Sequence, residues 1–360
     1  MTYPKLLALV TFLLFALIAV LAFMKGGKST AAKEVVLPAY TASVPIKLGS
    51  EVREIKPSQG LAAVQVVQEI QKSITEPLVA EKKLVQKAVV ELIKPEFIQV
   101  KTNVKLPEAD RIAMLFNKVD PKFPFIETVT YKSRVAWQKG RPAWLSDYAA
   151  YYSTSRHFIA RSLNGNKDYN KQDLAEGDRF NVFRKDKNIA FHLLVDLGRC
   201  RLWLYGIDTD KQERYLIKTY TVGVGRTEEN RASGLLTPLG TYGLGDKIAI
   251  YKPKMQGFYN GKKVEMLRIF GTRWIPFDKE IKGCTAPAKS LGIHGVPCQL
   301  SPKGDLVEDL GSLGKYESDG CIHLSTDDME EVFAIIITKP ASIELVADFT
   351  DAQLPGKEWN

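Results

Sequence analysis

The chain has 360 residues, of which 45% are hydrophobic and 25% are charged, and its formal net charge is +9 at pH 7. This balance excludes an intrinsically disordered chain, because it supplies enough apolar surface for one or two folded cores. The basic residues are scattered among acids, and no helix-turn-helix, zinc-finger or RNA-binding string occurs, so nucleic-acid binding is not indicated. A solvated surface is the simplest interpretation of the charge, and an anionic partner, such as a cell-wall polymer or lipid headgroups, is the next.

The first predicted element is an apolar segment. Leu6 to Met24 contains nineteen residues without a charge, which is long enough to cross a bilayer. The segment is longer than the core of a cleavable signal peptide, and Ala22-Phe23-Met24 is a poor cleavage site. Residues 1–24 are therefore predicted to be an uncleaved, single-pass membrane anchor. More lysines follow this segment than precede it, which by the positive-inside rule favours a cytoplasmic C-terminal part.

Residues 25–105 are predicted to be a linker with a helical segment. Residues 25–57 are polar with scattered prolines and small residues, as in flexible linkers. Leu61 to Ile93 repeats apolar residues at helical spacing and is interrupted by Pro77, which predicts one or two helices.

Residues 106–187 are predicted to be a small α+β region. Pro142 to Arg161 predicts a helix that ends before Asn164-Gly165-Asn166. Leu174 to Phe183 places a Gly-Asp turn before a strand, and this segment is loosely similar to the closing strand of LysM-type sugar-binding modules. Because the similarity covers so short a segment, a peptidoglycan-binding region and a plain spacer both stay open.

Residues 188–347 are predicted to be mainly β. Phe191 to Tyr205 alternates apolar and other residues around a Gly-containing turn, which predicts a hairpin. Tyr215 to Gly225 predicts a third strand, and Thr237-Pro238-Leu239-Gly240 has the composition of a tight turn. Residues 348–360 are predicted to be a C-terminal tail.

A cysteine and a histidine carry the candidate chemistry. Cys321 lies in Ser318-Asp319-Gly320-Cys321-Ile322-His323, and His294 lies in Ile293-His294-Gly295. Cysteine needs a neighbour to become a thiolate near neutral pH, and an imidazole or a helix N-terminus can supply it. Ser325 to Asp328 is typical of a capping box, so Cys321 is predicted to lie in the loop that enters a helix.

These residues resemble the active-site signature of the L,D-transpeptidase (YkuD-type) family. That signature is a His-Gly segment followed by Ser-His-Gly-Cys, an apolar residue and Arg or Asn. The hairpin and the Thr-Pro-x-Gly turn described above also resemble elements of the family, and all four follow its order. Asp319 stands where the family usually has His, and His323 stands where it usually has Arg or Asn. The gap between His294 and Ser318 implies an insertion within residues 298–317.

The resemblance implies a β-sandwich-like catalytic domain over residues 188–347, with short helices, preceded by the small α+β region and the N-terminal transmembrane helix. Cys321 would be the nucleophile and His294 the general base. Ser318, Gly320 and Gly295 would shape the site, with backbone N–H groups near Gly320 and Cys321 as oxyanion donors.

Three further residues are candidates for contact with substrate. Asp319 is expected to orient His294 or His323, although its charge would also raise the pKa of the cysteine. His323 would contact a substrate carboxylate or fill the site. Arg273 is a candidate for binding an anionic stem peptide, with a plain surface arginine as the alternative.

The implied activity is acyl transfer on peptidoglycan stem peptides through a thioester, which forms 3→3 cross-links. With water as acceptor the protein would be an L,D-carboxypeptidase, with a lipoprotein it would be an attachment enzyme, and with a free D-amino acid it would be an exchange enzyme. The two departures from the signature leave open a catalytically decayed peptidoglycan-binding protein, and an unrelated thiol hydrolase is a third interpretation. Because peptidoglycan lies outside the cytoplasmic membrane, the catalytic domain is expected in the periplasm, against the lysine bias.

The cysteines indicate neither a metal site nor a cofactor. Cys200, Cys284, Cys298 and Cys321 have no CxxC spacing and no nearby pair of histidines. In an extracytoplasmic domain, Cys284 and Cys298 could form a disulfide.

Overall fold

The computed structural model describes residue 101, residues 104–167, residue 169 and residues 174–359. The predicted anchor at residues 1–24 and the predicted helices at residues 61–93 lie outside these residues. Within the described part of the chain, no helix is long and apolar enough to cross a membrane. The described residues all fall in one compact unit.

The secondary structure is mainly β, as predicted for residues 188–347. The helices are short: α1 (Ala113–Phe116), α2 (Leu145–Tyr151), α3 (Arg156–Asn164), α4 (Leu267–Phe270) and α5 (Thr326–Ile336), with 3₁₀ turns at Leu310–Ser312 and Phe349–Asp351. The strands, in chain order, are β1 (Ile126–Thr130), β2 (Arg179–Phe183), β3 (Ile189–Asp196), β4 (Arg201–Asp208), β5 (Glu213–Thr221), β6 (Val224–Gly225), β7 (Gly240–Leu244), β8 (Ala249–Ile250), β9 (Gln256–Tyr259), β10 (Lys262–Glu265), β11 (Arg273–Lys282), β12 (Gly292–Gly295), β13 (Cys298–Leu300), β14 (Leu306–Glu308), β15 (Tyr316–Ser318), β16 (Ile322–Leu324), β17 (Ala341–Val346) and β18 (Lys357–Glu358).

The region before residue 188 has the order helix, strand, helix, helix, strand, and β1 pairs antiparallel with β2. The single helix predicted over residues 142–161 is wrong, because α2 and α3 are separate helices. Ser155 caps α3 by accepting hydrogen bonds from the backbone N–H groups of His157 and Phe158, and Ser153 has a φ of 45°. A positive φ at a residue other than glycine is incompatible with a continuous helix.

A ten-stranded sheet forms the body of the region after residue 188. Its strands follow the order β16-β12-β11-β7-β17-β3-β4-β5-β18, and β8 pairs with β11 beside this path. The hairpin predicted from Phe191 to Tyr205 is confirmed as β3 and β4, which pair antiparallel. The resemblance implied a β-sandwich, in which the strands are divided between two sheets. In this structure they are hydrogen-bonded in one continuous sheet.

The core continues from the small α+β region into the large sheet. Phe125 is fully buried, and its ring lies 5.5 Å from the ring of Tyr215 on β5 and 5.2 Å from that of Phe123. A Cβ on Gly206 of β4 would come within 2.9 Å of Phe125, so the glycine allows this close approach. The two regions therefore share one hydrophobic cluster.

Substitution of Phe125 by alanine tests this shared core. The free energy of unfolding should fall by about 3 to 5 kcal/mol, because a buried ring is replaced by a cavity. Denaturant unfolding of the full chain measures the change. Val119→Ala is the matched control, since Val119 is 71% exposed, and it should cost no more than about 0.5 kcal/mol. A Phe125→Ala variant that unfolds like the parent chain would show that this interface contributes little.

Candidate functional site

Two short parallel strands bring the predicted nucleophile and base together. β12 pairs with β16 so that Ile293 lies opposite Ile322 and His294 lies opposite His323. Residues opposite each other project to the same face of a sheet, so both imidazoles share one face while both isoleucines are buried on the other. Cys321 immediately precedes β16. The cysteine and the two histidines consequently line the same cleft.

The cleft has a volume of about 870 Å³. One wall comes from β9, the turn after it and α4, which contribute aromatic side chains; the other walls come from the loops around Arg226, Ser290 and Glu317. Besides Cys321, His294 and His323, the residues that line the cleft include Arg226, Phe258, Tyr259, Phe270, Trp274 and Asp319.

Hydrogen bonds within the motif fix the loop that carries Cys321. The Ser318 hydroxyl donates to the Cys321 carbonyl at 2.7 Å and accepts from the Gly320 N–H at 3.0 Å. Gly320 has a φ of 116°, and a Cβ there would lie 3.0 Å from the Leu236 carbonyl oxygen, so a side chain would be both strained and crowded. The loop therefore depends on Ser318 and Gly320 for its shape.

The Thr-Pro-x-Gly element supports this loop from behind. Thr237 is fully buried, and its hydroxyl donates to the Gly320 carbonyl at 2.9 Å. The Thr237 hydroxyl oxygen also accepts a hydrogen bond from the Gly225 N–H at 2.7 Å, which connects the loop to β6. The sequence identified this element only as a turn, and its contact with Gly320 spans 83 positions of the chain.

His294 is held in one orientation. Its side chain is 3% exposed, and Nδ1 lies 2.9 Å from the Gly295 carbonyl oxygen, to which it donates when it carries the proton. This tautomer leaves Nε2 as the acceptor, as a general base requires. The rings of Phe270 and Trp274 pack at 5.1 and 5.6 Å from the imidazole.

Burial keeps both Cys321 and His294 neutral in the absence of substrate. It raises the pKa of the Cys321 thiol to about 11; the Gly292 N–H acts in the opposite direction, and the charge of Asp319 raises the pKa further. Burial and the neighbouring His323 hold the pKa of His294 well below its ordinary value. Near neutral pH the site therefore contains a thiol and a neutral imidazole, and the proton must move as the sulfur attacks.

His323 lies directly against the base. Its ring centroid is 4.3 Å from that of His294, and its own pKa is lowered to about 4 by burial. Its Nδ1 is buried and has no hydrogen-bond partner among the described residues. Nε2 is therefore the ring nitrogen that can reach the cleft, where a neutral imidazole can bind a substrate amide or carbonyl by a hydrogen bond without adding charge.

Asp319 takes different partners from those expected. Its carboxylate forms an ion pair with Arg226 and accepts a hydrogen bond from the Tyr259 hydroxyl at 3.3 Å. Asp319 was expected to orient His294 or His323, but its hydrogen bonds go to Arg226 and Tyr259. The Gly295 carbonyl orients His294 instead. Asp319 instead connects the loop that carries Cys321 to the opposite wall of the cleft.

The prediction that Arg273 binds substrate is wrong. Arg273 is 2% exposed and projects away from the cleft toward α5, where its guanidinium lies 3.4 Å from Glu330 and over the ring of Phe333. Because side chains alternate along β11, the neighbouring Trp274 faces the cleft instead. Arg273 is thus neither a substrate contact nor a surface arginine.

The cysteines do not pair in this structure. Cys284 and Cys298 are both free thiols, so the expected disulfide between them is not formed. The described residues contain no cluster of three or more His, Cys, Asp or Glu side chains arranged to hold a metal ion.

Residues 190–343 match the family model described as the L,D-transpeptidase catalytic domain, YkuD. A comparison with curated proteins gives no match. Among solved structures, the chain is similar to Bd1075 of Bdellovibrio bacteriovorus, with 15% identity, a TM-score of 0.29, and coverage of 44% of this chain and 48% of that one. It is also similar to the helical cell shape determining protein Pgp2 of Campylobacter jejuni, with 17% identity, a TM-score of 0.30, and coverage of 47% and 51%. The chain thus spans about half the length of these two proteins.

The raised pKa of Cys321 predicts slow alkylation near neutral pH. The rate at which iodoacetamide modifies Cys321, followed by peptide mapping, should rise continuously through the alkaline range toward about 11, because only the thiolate reacts. Asp319→Asn should move this profile to lower pH by removing a nearby negative charge, whereas Asp305→Asn, an exposed control outside the cleft, should not. A rate that already reaches its plateau near neutral pH would indicate a thiolate–imidazolium pair at rest.

Proposed function

We propose that this chain, whose residues 190–343 belong to the L,D-transpeptidase (YkuD) catalytic domain family, is a cysteine-dependent acyltransferase that acts on peptidoglycan stem peptides. The observation that carries the proposal is the meeting of Cys321 and His294 in one cleft through the parallel pairing of β12 and β16. A decayed wall-binding protein would have no requirement for a nucleophile loop that hydrogen bonds hold in place beside an oriented base.

The proposed reaction has two acyl-transfer steps. Cys321 Sγ attacks the carbonyl carbon of the third residue of a stem peptide while His294 Nε2 takes the thiol proton. The resulting tetrahedral species collapses to a thioester as the bond to the terminal D-alanine breaks, and the imidazolium returns the proton to the leaving amine. An amine from a second stem then attacks the thioester, transfers its proton to His294, and releases the thiol with a 3→3 cross-link.

The developing oxyanion needs a hydrogen-bond donor beside Cys321. The Gly320 N–H already donates to the Ser318 hydroxyl at 3.0 Å, so we assign the role to the N–H of Cys321 itself. Ser318 and Gly320 then act by shaping the loop, and Gly295 acts by accepting the hydrogen bond of His294. His323 contributes a neutral polar contact for the substrate.

Product analysis tests this function. The full chain in detergent is incubated with tetrapeptide muropeptides, and chromatography with mass spectrometry should show loss of D-alanine together with 3→3 cross-linked dimers. Cys321→Ala should abolish both products, and His294→Gln should slow their formation by about 10²- to 10⁴-fold, the usual contribution of a general base. Cys284→Ala is the matched control, because Cys284 is a free thiol outside the cleft.

Four other outcomes are informative. Tripeptides without dimers would indicate that water is the acceptor and that the protein is an L,D-carboxypeptidase. Attachment of the acyl group to a lipoprotein added to the mixture would indicate the attachment variant. Normal turnover by Cys321→Ala would contradict the proposal, and binding to peptidoglycan without any turnover by the parent chain would favour the decayed protein.

We further propose that residues 1–24 anchor the protein in the cytoplasmic membrane with the catalytic domain in the periplasm. The proposal is supported by the uncharged length of Leu6 to Met24 and by the location of peptidoglycan. A reporter fused after Asn360 that requires periplasmic export should be active. If only a cytoplasmic reporter is active at that position, the orientation is the opposite one.

A further inference from the structure

We propose that the hairpin of β9 and β10, together with the turn before it, docks on an anionic lipid surface next to the mouth of the cleft. We call residues 252–265 the basic hairpin. Phe258 lies at the rim of the cleft, but the docking uses the exposed face of the hairpin and not Cys321 or His294. The proposal therefore goes beyond the proposed function and can fail without affecting the acyl-transfer chemistry.

The first observation is an excess of positive charge. Lys252, Lys254, Lys262 and Lys263 are all exposed, and none has an ion-pair partner among the described residues. The segment contains one acidic residue, Glu265, whose carboxylate accepts the backbone N–H of Lys254 at 2.5 Å. The four ammonium groups are therefore free to interact with negative charge from outside the described residues.

The second observation is a pair of exposed apolar side chains among these lysines. Phe258 is 77% exposed, the largest value for a large apolar side chain in the described part of the chain, and Met255 is 42% exposed. Phe258 lies opposite Lys263 in the hairpin, so the ring and the ammonium group share one face. Leaving such groups in water has a cost in free energy that contact with an apolar phase removes.

This combination indicates a lipid surface. A hydrated polyanion could pair with the lysines, but it would leave Phe258 and Met255 in water. The interface of an anionic bilayer accommodates both, since lysines are attracted to its surface potential and aromatic rings partition to the level of the headgroups.

The hairpin is held rigidly enough to present this face. A Cβ on Gly257 would lie 2.3 Å from Met266 Sδ, so the glycine lets the hairpin pack tightly on the residue that precedes α4. The Met266 N–H also donates to the Met255 carbonyl at 2.9 Å. Folding therefore fixes the backbone of the docking face before any lipid is present.

The same hairpin contacts the nucleophile loop. Tyr259 projects to the opposite face from Phe258, and its hydroxyl donates to Asp319 at 3.3 Å. Docking of the Phe258 face would hold the mouth of the cleft close to the bilayer, where it would meet the part of its substrate nearest the membrane.

Hydrogen exchange of the full chain in lipid nanodiscs tests the proposal. Amides of residues 252–265 should exchange about tenfold or more slowly in discs that contain phosphatidylglycerol than in discs of phosphatidylcholine alone, as expected when several lysines act together. Phe258→Trp should add fluorescence that brominated lipids quench in the anionic discs, whereas Leu310→Trp, which replaces an exposed residue outside the hairpin, should not.

Charge removal supplies the control. A variant with Lys252, Lys254, Lys262 and Lys263 all changed to Gln should lose the protection. A variant with four other exposed lysines, Lys132, Lys139, Lys289 and Lys303, changed to Gln should retain it at the same net charge. Equal exchange in both kinds of disc, or protection by soluble anionic muropeptides in place of anionic lipid, would overturn the proposal.

Discussion

The parallel pairing of β12 with β16 is the constraint on which the candidate site depends. It places His294 opposite His323 and puts Cys321 at the entry to the same strand, although 26 residues separate the cysteine from His294 in the sequence. Parallel strands require a long crossover between them. Here the crossover contains β13, β14, a 3₁₀ turn and β15, and it lies where the sequence implied an insertion.

Burial at this junction sets the chemistry as well as the geometry. The same packing that orients His294 also removes water from it, which lowers its pKa and raises that of Cys321. A neutral pair requires no charge to be stabilised inside the protein before substrate binds. In the proposed reaction, charge develops only in the attack step, where the Gly295 carbonyl and the Cys321 N–H would stabilise it.

The local parts of the site were predictable from sequence. The β3–β4 hairpin follows from alternation around a glycine, and the start of α5 follows from Ser325, which accepts the backbone N–H of Asp328 as a capping residue does. These patterns depend on residues close together in the chain. The order of the motifs is also that of the L,D-transpeptidase family, whose model matches residues 190–343.

The partners of the motif residues were not predictable, because they come from distant segments. Arg226 lies 93 positions before Asp319, and Tyr259 comes from a hairpin with no signature of its own. Arg273 was misassigned because sequence shows that side chains alternate along a strand without showing which side faces the cleft. The separation of α2 from α3 depends on the cap at Ser155, and the interpretation of residues 142–161 as one helix overlooked it.

In the proposed mechanism, Cys321 forms a covalent acyl intermediate with the help of His294. Intact-mass and peptide-mapping analysis of the full chain, quenched during turnover of a tetrapeptide substrate, measures this directly. We expect a mass increase equal to the acyl tripeptide donor, located on Cys321, that accumulates more slowly in His294→Gln. Turnover of the substrate with the acyl group on another residue, or with no covalent species and an unmodified Cys321, would contradict this mechanism.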